Sequence, residues 1–68
     1  MVLATFQHLD QTKQQRVLAA LVTEFSQHPL AQAQVARIVK QADIARGAFY
    51  KYFSDLKDAY QYAFKAVI

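Results

Sequence analysis

Hydrophobic side chains recur at helical spacing along most of the chain. Between Lys13 and Gln27 they occupy positions 17, 18, 21, 22 and 25, which lie on one face of a helix, whereas polar residues such as Glu24 fall largely off that face. Asp10 or Thr12 can cap this first helix, because a side-chain oxygen there accepts hydrogen bonds from the free N–H groups of the first turn. Pro29 cannot continue a helix, so the first helix is expected to end before it.

Two shorter helices are predicted next. The second runs from about Ala33 to Gln41, with positions 35, 38 and 39 facing inward. The third runs from about Ala45 to Phe53, and Phe49 shares a face with Phe53 because the two are four residues apart. Residues 42–44 make a tight connection between these helices, in which Asp43 tolerates the left-handed conformation better than most residues, though less well than glycine.

A fourth helix is expected to begin at Leu56 and to reach the end of the chain, with Ser54 or Asp55 as its cap. Lys65 is the only charge after Asp58, so this helix is apolar almost all round, and such a helix is usually buried on two sides. A four-helix unit of this size covers one side only. We therefore expect a longer parent protein or a partner that packs on this helix. Its apolar stripe comprises Leu56, Tyr60, Ala63, Phe64 and Val67.

Length and composition restrict the fold class to a small all-α domain, a bundle of three helices plus the start of a fourth. The 68 residues make a single domain spanning 1–68. The chain is 54% hydrophobic and 19% charged, a composition far from that of a disordered segment. One Gly and one Pro are too few turn residues for a domain of many β-strands.

The same composition provides no enzymatic, cofactor or metal site. The absence of Cys excludes disulfides, thiolate zinc sites and a cysteine nucleophile, and His8 and His28 have no partner at metal-ligand spacing. A single glycine cannot form a phosphate-binding glycine-rich loop. Asp55 and Asp58 are better explained as groups that cap a helix than as an acid–base pair. No apolar run approaches the roughly 18 residues of a membrane span.

Positive charge is concentrated in residues 37–51. The chain carries eight basic and five acidic residues, a net charge of +3, and this segment alone accounts for a net +3. A short helix, a tight turn and a second short helix form the helix-turn-helix arrangement, whose second helix enters the DNA major groove. Basic residues on a helix pair are also common in proteins that bind no DNA. The charges are Arg37, Lys40, Arg46 and Lys51 against Asp43, and Arg37 and Lys40 are expected to lie outside.

The outer face of the third predicted helix carries groups suited to DNA. Gly47 lets the backbone approach a phosphate closely, and Lys51 can reach a guanine edge or a phosphate. Tyr50 and Tyr52 can donate hydroxyl hydrogen bonds to phosphate oxygens, although Tyr52 could equally lie at the edge of the core. Arg46 lies at the helix N-terminus, where backbone N–H groups also attract phosphate.

Residues 38–53, which read IVKQADIARGAFYKYF, resemble the signature of the tetracycline-repressor-like (TetR) transcription factors. The family pattern there is I-[AV]-x-x-A-G-[VI]-[SA]-x-G-[TSA]-[LF]-Y-x-[YH]-F. Upstream, residues 16–20 and Phe25 resemble the pattern of the family's first helix. The resemblance covers nearly the whole chain. It implies a homeodomain-like helix-turn-helix at about 33–53 and the N-terminal, DNA-binding domain of a larger regulator.

The resemblance also implies roles for individual residues. Tyr50 corresponds to a tyrosine that contacts backbone phosphate, and Gln34 to a position at the start of the second helix that touches phosphate. Lys57 stands one residue after a position, here Leu56, where many members have a phosphate-contacting lysine. The DNA-binding residues implied are thus Gln34, Ala45, Arg46, Gly47, Ala48, Tyr50, Lys51, Tyr52 and Lys57.

The chain departs from the family pattern in ways that predict weaker DNA contacts. Asp43 replaces the usual turn glycine and adds a negative charge near the DNA face. Ala45 lacks a capping hydroxyl and Ala48 lacks the usual threonine hydroxyl, so each removes a possible hydrogen bond to phosphate. Pro29 replaces a glycine that usually ends the first helix.

The resulting expectation is sequence-specific binding of double-stranded DNA by a TetR-like regulator, a repressor released by a small-molecule effector. The C-terminal domain that binds the effector and dimerises is expected to be absent from this chain, so no residue here would bind the effector. Two copies would read a pseudo-palindromic operator in the bacterial cytoplasm. The alternative is a non-enzymatic helical module that docks on a partner protein through the fourth helix.

Overall fold

The structure of the chain is a computed structural model that describes residues 3–67, with side chains described for residues 3–65. Within these residues it contains five α-helices and no β-strand, so the predicted all-α fold class is confirmed. A short 3₁₀ turn at Leu30–Gln32 links the second helix to the third. The helices are α1 (Ala4–Gln7), α2 (Gln11–Gln27), α3 (Val35–Ala42), α4 (Arg46–Tyr52) and α5 (Leu56–Val67).

The four predicted helices correspond to α2–α5, and α1 is an additional element. Helix α3 begins two residues later than predicted because Ala33 and Gln34 are extended. Helix α5 is described over 12 residues, Leu56–Val67. The predicted place of Val67 in the apolar stripe and the predicted apolar chain end at Ile68 concern side chains that lie outside the described residues. No helix in the described part of the chain is both long and apolar enough to span a membrane.

Each long helix starts with an aspartate cap. The carboxylate of Asp10 accepts a hydrogen bond from the Lys13 N–H at 2.9 Å, so Asp10 and not Thr12 caps α2. At the start of α5 the Asp55 carboxylate accepts from the Asp58 N–H at 2.8 Å. The Asp58 carboxylate in turn accepts from the Ser54 N–H at 3.0 Å, a reciprocal arrangement like a capping box. These contacts confirm that both aspartates serve helix ends.

The core lies where α2 crosses α3 and α5, with α4 packed against α3 and α1. The apolar positions predicted for α2 and α3 supply six of the fourteen buried apolar residues described, and the others come from the rest of the chain or are small alanines. Aromatic rings fill the space between α1, α4 and α5, at centroid separations of 5–6 Å that favour edge-on and tilted pairs. The largest fully buried side chains are Phe6, Val17, Leu21, Ile38, Phe49 and Phe53.

The turn between α3 and α4 contains a left-handed aspartate. Asp43 has φ 59° and ψ 48°, and it is the only non-glycine residue with positive φ in the described chain. The Ile44 N–H bonds the Val39 carbonyl at 3.0 Å, which is the long-range bond of a Schellman motif. The turn therefore keeps the geometry that normally favours glycine.

We expect Asp43→Gly to stabilise the fold by about 0.5–1 kcal/mol, because glycine adopts positive φ without the steric cost of a Cβ. Asp43→Asn should change stability less, since asparagine tolerates the same conformation. Urea unfolding monitored by circular dichroism measures both. A glycine variant less stable than the wild type would show that Asp43 makes a compensating interaction in this turn.

Candidate nucleic-acid interface

Helix α4 divides sharply into a buried face and an exposed face. Phe49 and Phe53, the C-cap residue that follows α4, are fully buried. Gly47 and Lys51 are exposed on the opposite side, as the spacing predicted, and Arg46 is exposed at the N-terminus of the helix. A Cβ built on Gly47 would meet no atom within 4 Å, so packing within the protein does not require glycine there.

Tyr50 is the one exposed large hydrophobic residue on α4, at 51%. Its ring packs edge-on against Phe49 with centroids 5.1 Å apart. The core thus holds one edge of the ring while the rest of the side chain faces solvent. This is the placement that a hydroxyl group needs in order to reach a bound polyanion.

Tyr52 occupies a different environment from Tyr50. Its ring lies 5.6 Å from that of Phe6 on α1, and its side chain is half-buried. Its carbonyl accepts a hydrogen bond from the Leu3 N–H at 2.9 Å. Tyr52 therefore lies at the edge of the core, beside the N-terminal segment.

The remaining candidate residues lie around α4 or on neighbouring helices. Gln34 and Ala45 are the exposed N-caps of α3 and α4, and neither side chain makes a capping bond. Ala48 is half-buried on α4, and Lys57 is exposed in the first turn of α5. The structure thus places Ala45, Arg46, Gly47, Tyr50 and Lys51 together along one helix, with Gln34 and Lys57 on other elements.

Glu24 is buried, contrary to the expectation that it falls off the apolar face of α2. Glu24 is 4% exposed, and its carboxylate lies 2.8 Å from Nη2 of Arg37. Arg37 Nε also donates to this carboxylate at 2.9 Å, and the Gln34 N–H donates to it at 3.0 Å. Its spacing could have revealed this position, since Glu24 follows Leu21 by three residues and Val17 by seven, both on the buried face.

The ion pair between Glu24 and Arg37 changes the charge available on the helix-turn-helix. The hydrogen bond from Arg37 lowers the pKa of Glu24 against the opposing effect of burial, and the Gln34 N–H lowers it further. The same hydrogen bond raises the pKa of Arg37. The positive charge of Arg37 is therefore paired with the Glu24 carboxylate. Lys40, Arg46 and Lys51 are the basic residues of segment 37–51 that are exposed.

No group of three or more His, Cys, Asp or Glu side chains that could hold a metal ion occurs in the part of the chain described. The candidate site consists of a short helix, α4, whose exposed face is polar and basic and whose other face packs on the rest of the all-α domain.

Residues 17–59 match the family model described as bacterial regulatory proteins, tetR family. The chain belongs to the TetR family. The matched residues include most of α2, all of α3 and α4 and the first turn of α5, so the match contains the whole helix-turn-helix. TetR membership supports a DNA-binding role in transcription regulation for this helical domain.

A solved structure supports the same assignment. The crystal structure of a TetR family transcriptional regulator from Chloroflexus aurantiacus J-10-fl superposes with a TM-score of 0.86 and 40% sequence identity. The similarity covers 91% of this chain and 29% of that chain, so the present TetR chain spans less than a third of that relative. No curated protein sequence matches the chain.

Proposed function

We propose that this chain is the N-terminal domain of a TetR-like regulator and binds double-stranded DNA in a sequence-specific manner. Residues 1–68 form one domain in this proposal, with the helix-turn-helix at about 33–53. The observation that carries it is the division of α4, where buried Phe49 fixes the helix and Tyr50 and Lys51 face outward.

In the proposed complex α4 enters the major groove. Lys51 reaches a guanine edge or a phosphate, and Tyr50 donates its hydroxyl to a phosphate. Gly47 lets the backbone of α4 come close to the DNA, since the position of its missing Cβ is open space. Arg46 adds positive charge at the start of the helix. Gln34, Ala45, Ala48, Tyr52 and Lys57 would complete the contact surface from its edges.

The wider mechanism rests on family membership. Two copies would pair through a C-terminal domain and place their α4 helices in major grooves about 34–36 Å apart on a pseudo-palindromic operator. The relative from Chloroflexus is more than three times longer than the part this chain covers, which supports such a further domain. In the proposal an effector bound to that domain changes the spacing and releases the DNA, so the regulator acts as a repressor in the bacterial cytoplasm.

We expect Tyr50→Phe and Lys51→Ala each to weaken binding to promoter DNA about tenfold, the equivalent of one charge-assisted hydrogen bond. Lys51→Ala should also reduce the salt dependence, because one fewer counterion is released per site. The measurement is a gel shift across a salt series, with the whole product of the gene and the promoter DNA beside that gene. Circular dichroism checks that each variant is folded.

Lys65→Ala is the matched control, since Lys65 is an exposed lysine in the last turn of α5. It should bind DNA like the wild type. If the double variant Tyr50→Phe, Lys51→Ala kept wild-type affinity, the exposed face of α4 would not be the recognition face.

An exposed aromatic residue on α5 favours a second candidate function. Phe64 is 37% exposed and its ring lies 4.6 Å from that of Tyr60, which itself packs against buried Phe25, so Phe64 extends the core outward along α5. A module that docks a partner protein through Phe64 and Tyr60 would bind without steep salt dependence, because apolar contacts release no counterions. The salt series therefore distinguishes the two functions.

A further inference from the structure

We propose that α1 is a positioning element for DNA binding, which holds the C-terminal end of α4 from outside the helix-turn-helix. The proposal rests on the DNA-binding function proposed above. The family match begins at residue 17. Helix α1 and Gln14, the residue of α2 that binds its end, therefore lie outside the matched part of the chain.

The first contact between α1 and α4 is aromatic. Phe6 is 2% exposed, and it is the buried residue of a helix only four residues long. Its ring lies 5.6 Å from Tyr52, 5.2 Å from Phe53 and 5.1 Å from Tyr62. Phe6 therefore joins the end of α4 to α5 through one ring.

The second contact is a backbone hydrogen bond. The Leu3 N–H donates to the carbonyl of Tyr52 at 2.9 Å. Tyr52 is the last residue of α4, and carbonyls in the last turn of a helix have no partner within the helix. The segment that leads into α1 therefore supplies a partner that α4 cannot supply for itself.

The third contact joins the end of α1 to α2 through one side chain, Gln14. The amide Nε2 of Gln14 on α2 donates to the carbonyls of Phe6, Gln7 and Leu9 at 3.1, 3.2 and 3.0 Å. These carbonyls lie at and just beyond the end of α1, and the Phe6 carbonyl also accepts from the Leu9 N–H at 3.1 Å. Gln14 thus fixes the position of α1 relative to α2.

Helix α4 needs support of this kind because it is short. It has seven residues and its N-cap, Ala45, makes no side-chain capping bond. Isolated helices below about 12–15 residues are marginal in water, so tertiary contacts must hold α4 in place. Its packing partners are α3 on one side and α1 on the other.

The test compares Gln14→Ala with Gln15→Ala in the full chain. Gln15 is an exposed neighbour on α2, so the control makes the same chemical change at a position that contacts no carbonyl of α1. We expect Gln14→Ala to weaken binding to the promoter DNA about three- to tenfold with an unchanged salt slope, because no phosphate contact is lost. Gln15→Ala should bind like the wild type.

Hydrogen exchange in the absence of DNA provides the second measurement. The Phe53 N–H, which bonds the Phe49 carbonyl at 2.9 Å, should exchange at least about threefold faster in Gln14→Ala, because α4 opens more often once α1 is released. The Ile38 N–H in α3 should keep its wild-type rate. Unchanged exchange at Phe53 would overturn the proposal, whether or not DNA binds. A wild-type protein that binds no DNA would instead refute the proposed function.

If the wild type and Gln14→Ala bind DNA equally well, then α1 stabilises the fold without positioning the recognition helix, and the proposal is wrong. A loss of affinity together with faster exchange confined to α4 supports the positioning role.

Discussion

Phe49→Ala is expected to leave a large fraction of the chain unfolded in water at 25 °C. Phe49 is fully buried, and its ring lies 5.4 Å from that of Phe53. Replacing a buried phenylalanine by alanine costs about 3–5 kcal/mol, because the lost contacts leave a cavity. A domain of 68 residues has a total stability of about 3–10 kcal/mol, so this loss removes much or all of it.

Far-UV circular dichroism at 222 nm with urea unfolding measures this loss. Phe64→Ala is the matched control, since it makes the same chemical change at a side chain that is 37% exposed. We expect the control to remain folded, with a much smaller loss of stability. Equal stability of the two variants would show that Phe49 does not anchor α4, and the assignment of its two faces would have to be reversed.

The helices that the sequence predicts correctly are those whose burial follows directly from spacing. In α3 the predicted apolar face is the face that is buried in the structure. In α2 Val17, Leu21 and Phe25 are buried as predicted, but the buried face is rotated toward Ala20 and Glu24, so the other predicted positions, Leu18 and Val22, are only partly buried. The two anchors of α4, Phe49 and Phe53, were predicted for the same reason. The exposed candidate residues of α4 follow because they lie opposite these anchors.

Helix α1 could not be predicted, because almost nothing local stabilises it. Its four residues include one buried side chain, Phe6, whose ring partners lie more than 40 residues away in the chain. Its terminal carbonyls are satisfied by Gln14, which reads in the sequence as an ordinary polar residue of α2. The sequence left two positions open for Tyr52, a DNA contact or the edge of the core, and the contact with Phe6 on α1 places it at the edge of the core.

Glu24 was misplaced for a different reason. The residue type suggested solvent, whereas the spacing from Val17 and Leu21 placed it on the buried face. Burial of a carboxylate is tolerated here because Arg37 and the Gln34 N–H satisfy its oxygens. Neither contact can be read from a local pattern, since the partners lie 10 and 13 residues away.

Arg37→Ala is expected to destabilise the protein far more than the 40% exposure of the Arg37 side chain suggests. The substitution removes the main partner of the buried Glu24 carboxylate. A buried acceptor left unsatisfied costs about 1–3 kcal/mol, and more when it is charged. Arg16→Ala is the matched control, because Arg16 is an exposed arginine on α2 and its removal uncovers no buried carboxylate. It should unfold at nearly the wild-type urea concentration.

The pH dependence identifies the group responsible. In the wild type the pKa of Glu24 is lowered below its usual value of 4.5, chiefly by the hydrogen bond from Arg37. The stability gained from this pair is therefore complete above pH 4.5 and is lost as the pH falls through the lowered pKa. In Arg37→Ala the main cause that lowers this pKa is gone, so the pKa of Glu24 should be higher than in the wild type, and protonation then relieves the cost of burying the charge.

The difference in unfolding free energy between the wild type and Arg37→Ala should thus be largest near pH 7 and should shrink below pH 4.5. Glu24→Gln provides the internal check, because its glutamine cannot ionise and the additional change Arg37→Ala should then cost much less. A difference that stays constant with pH would mean that Arg37 stabilises the fold through packing of its alkyl chain. In that case Glu24 would not be the group that holds the start of α3.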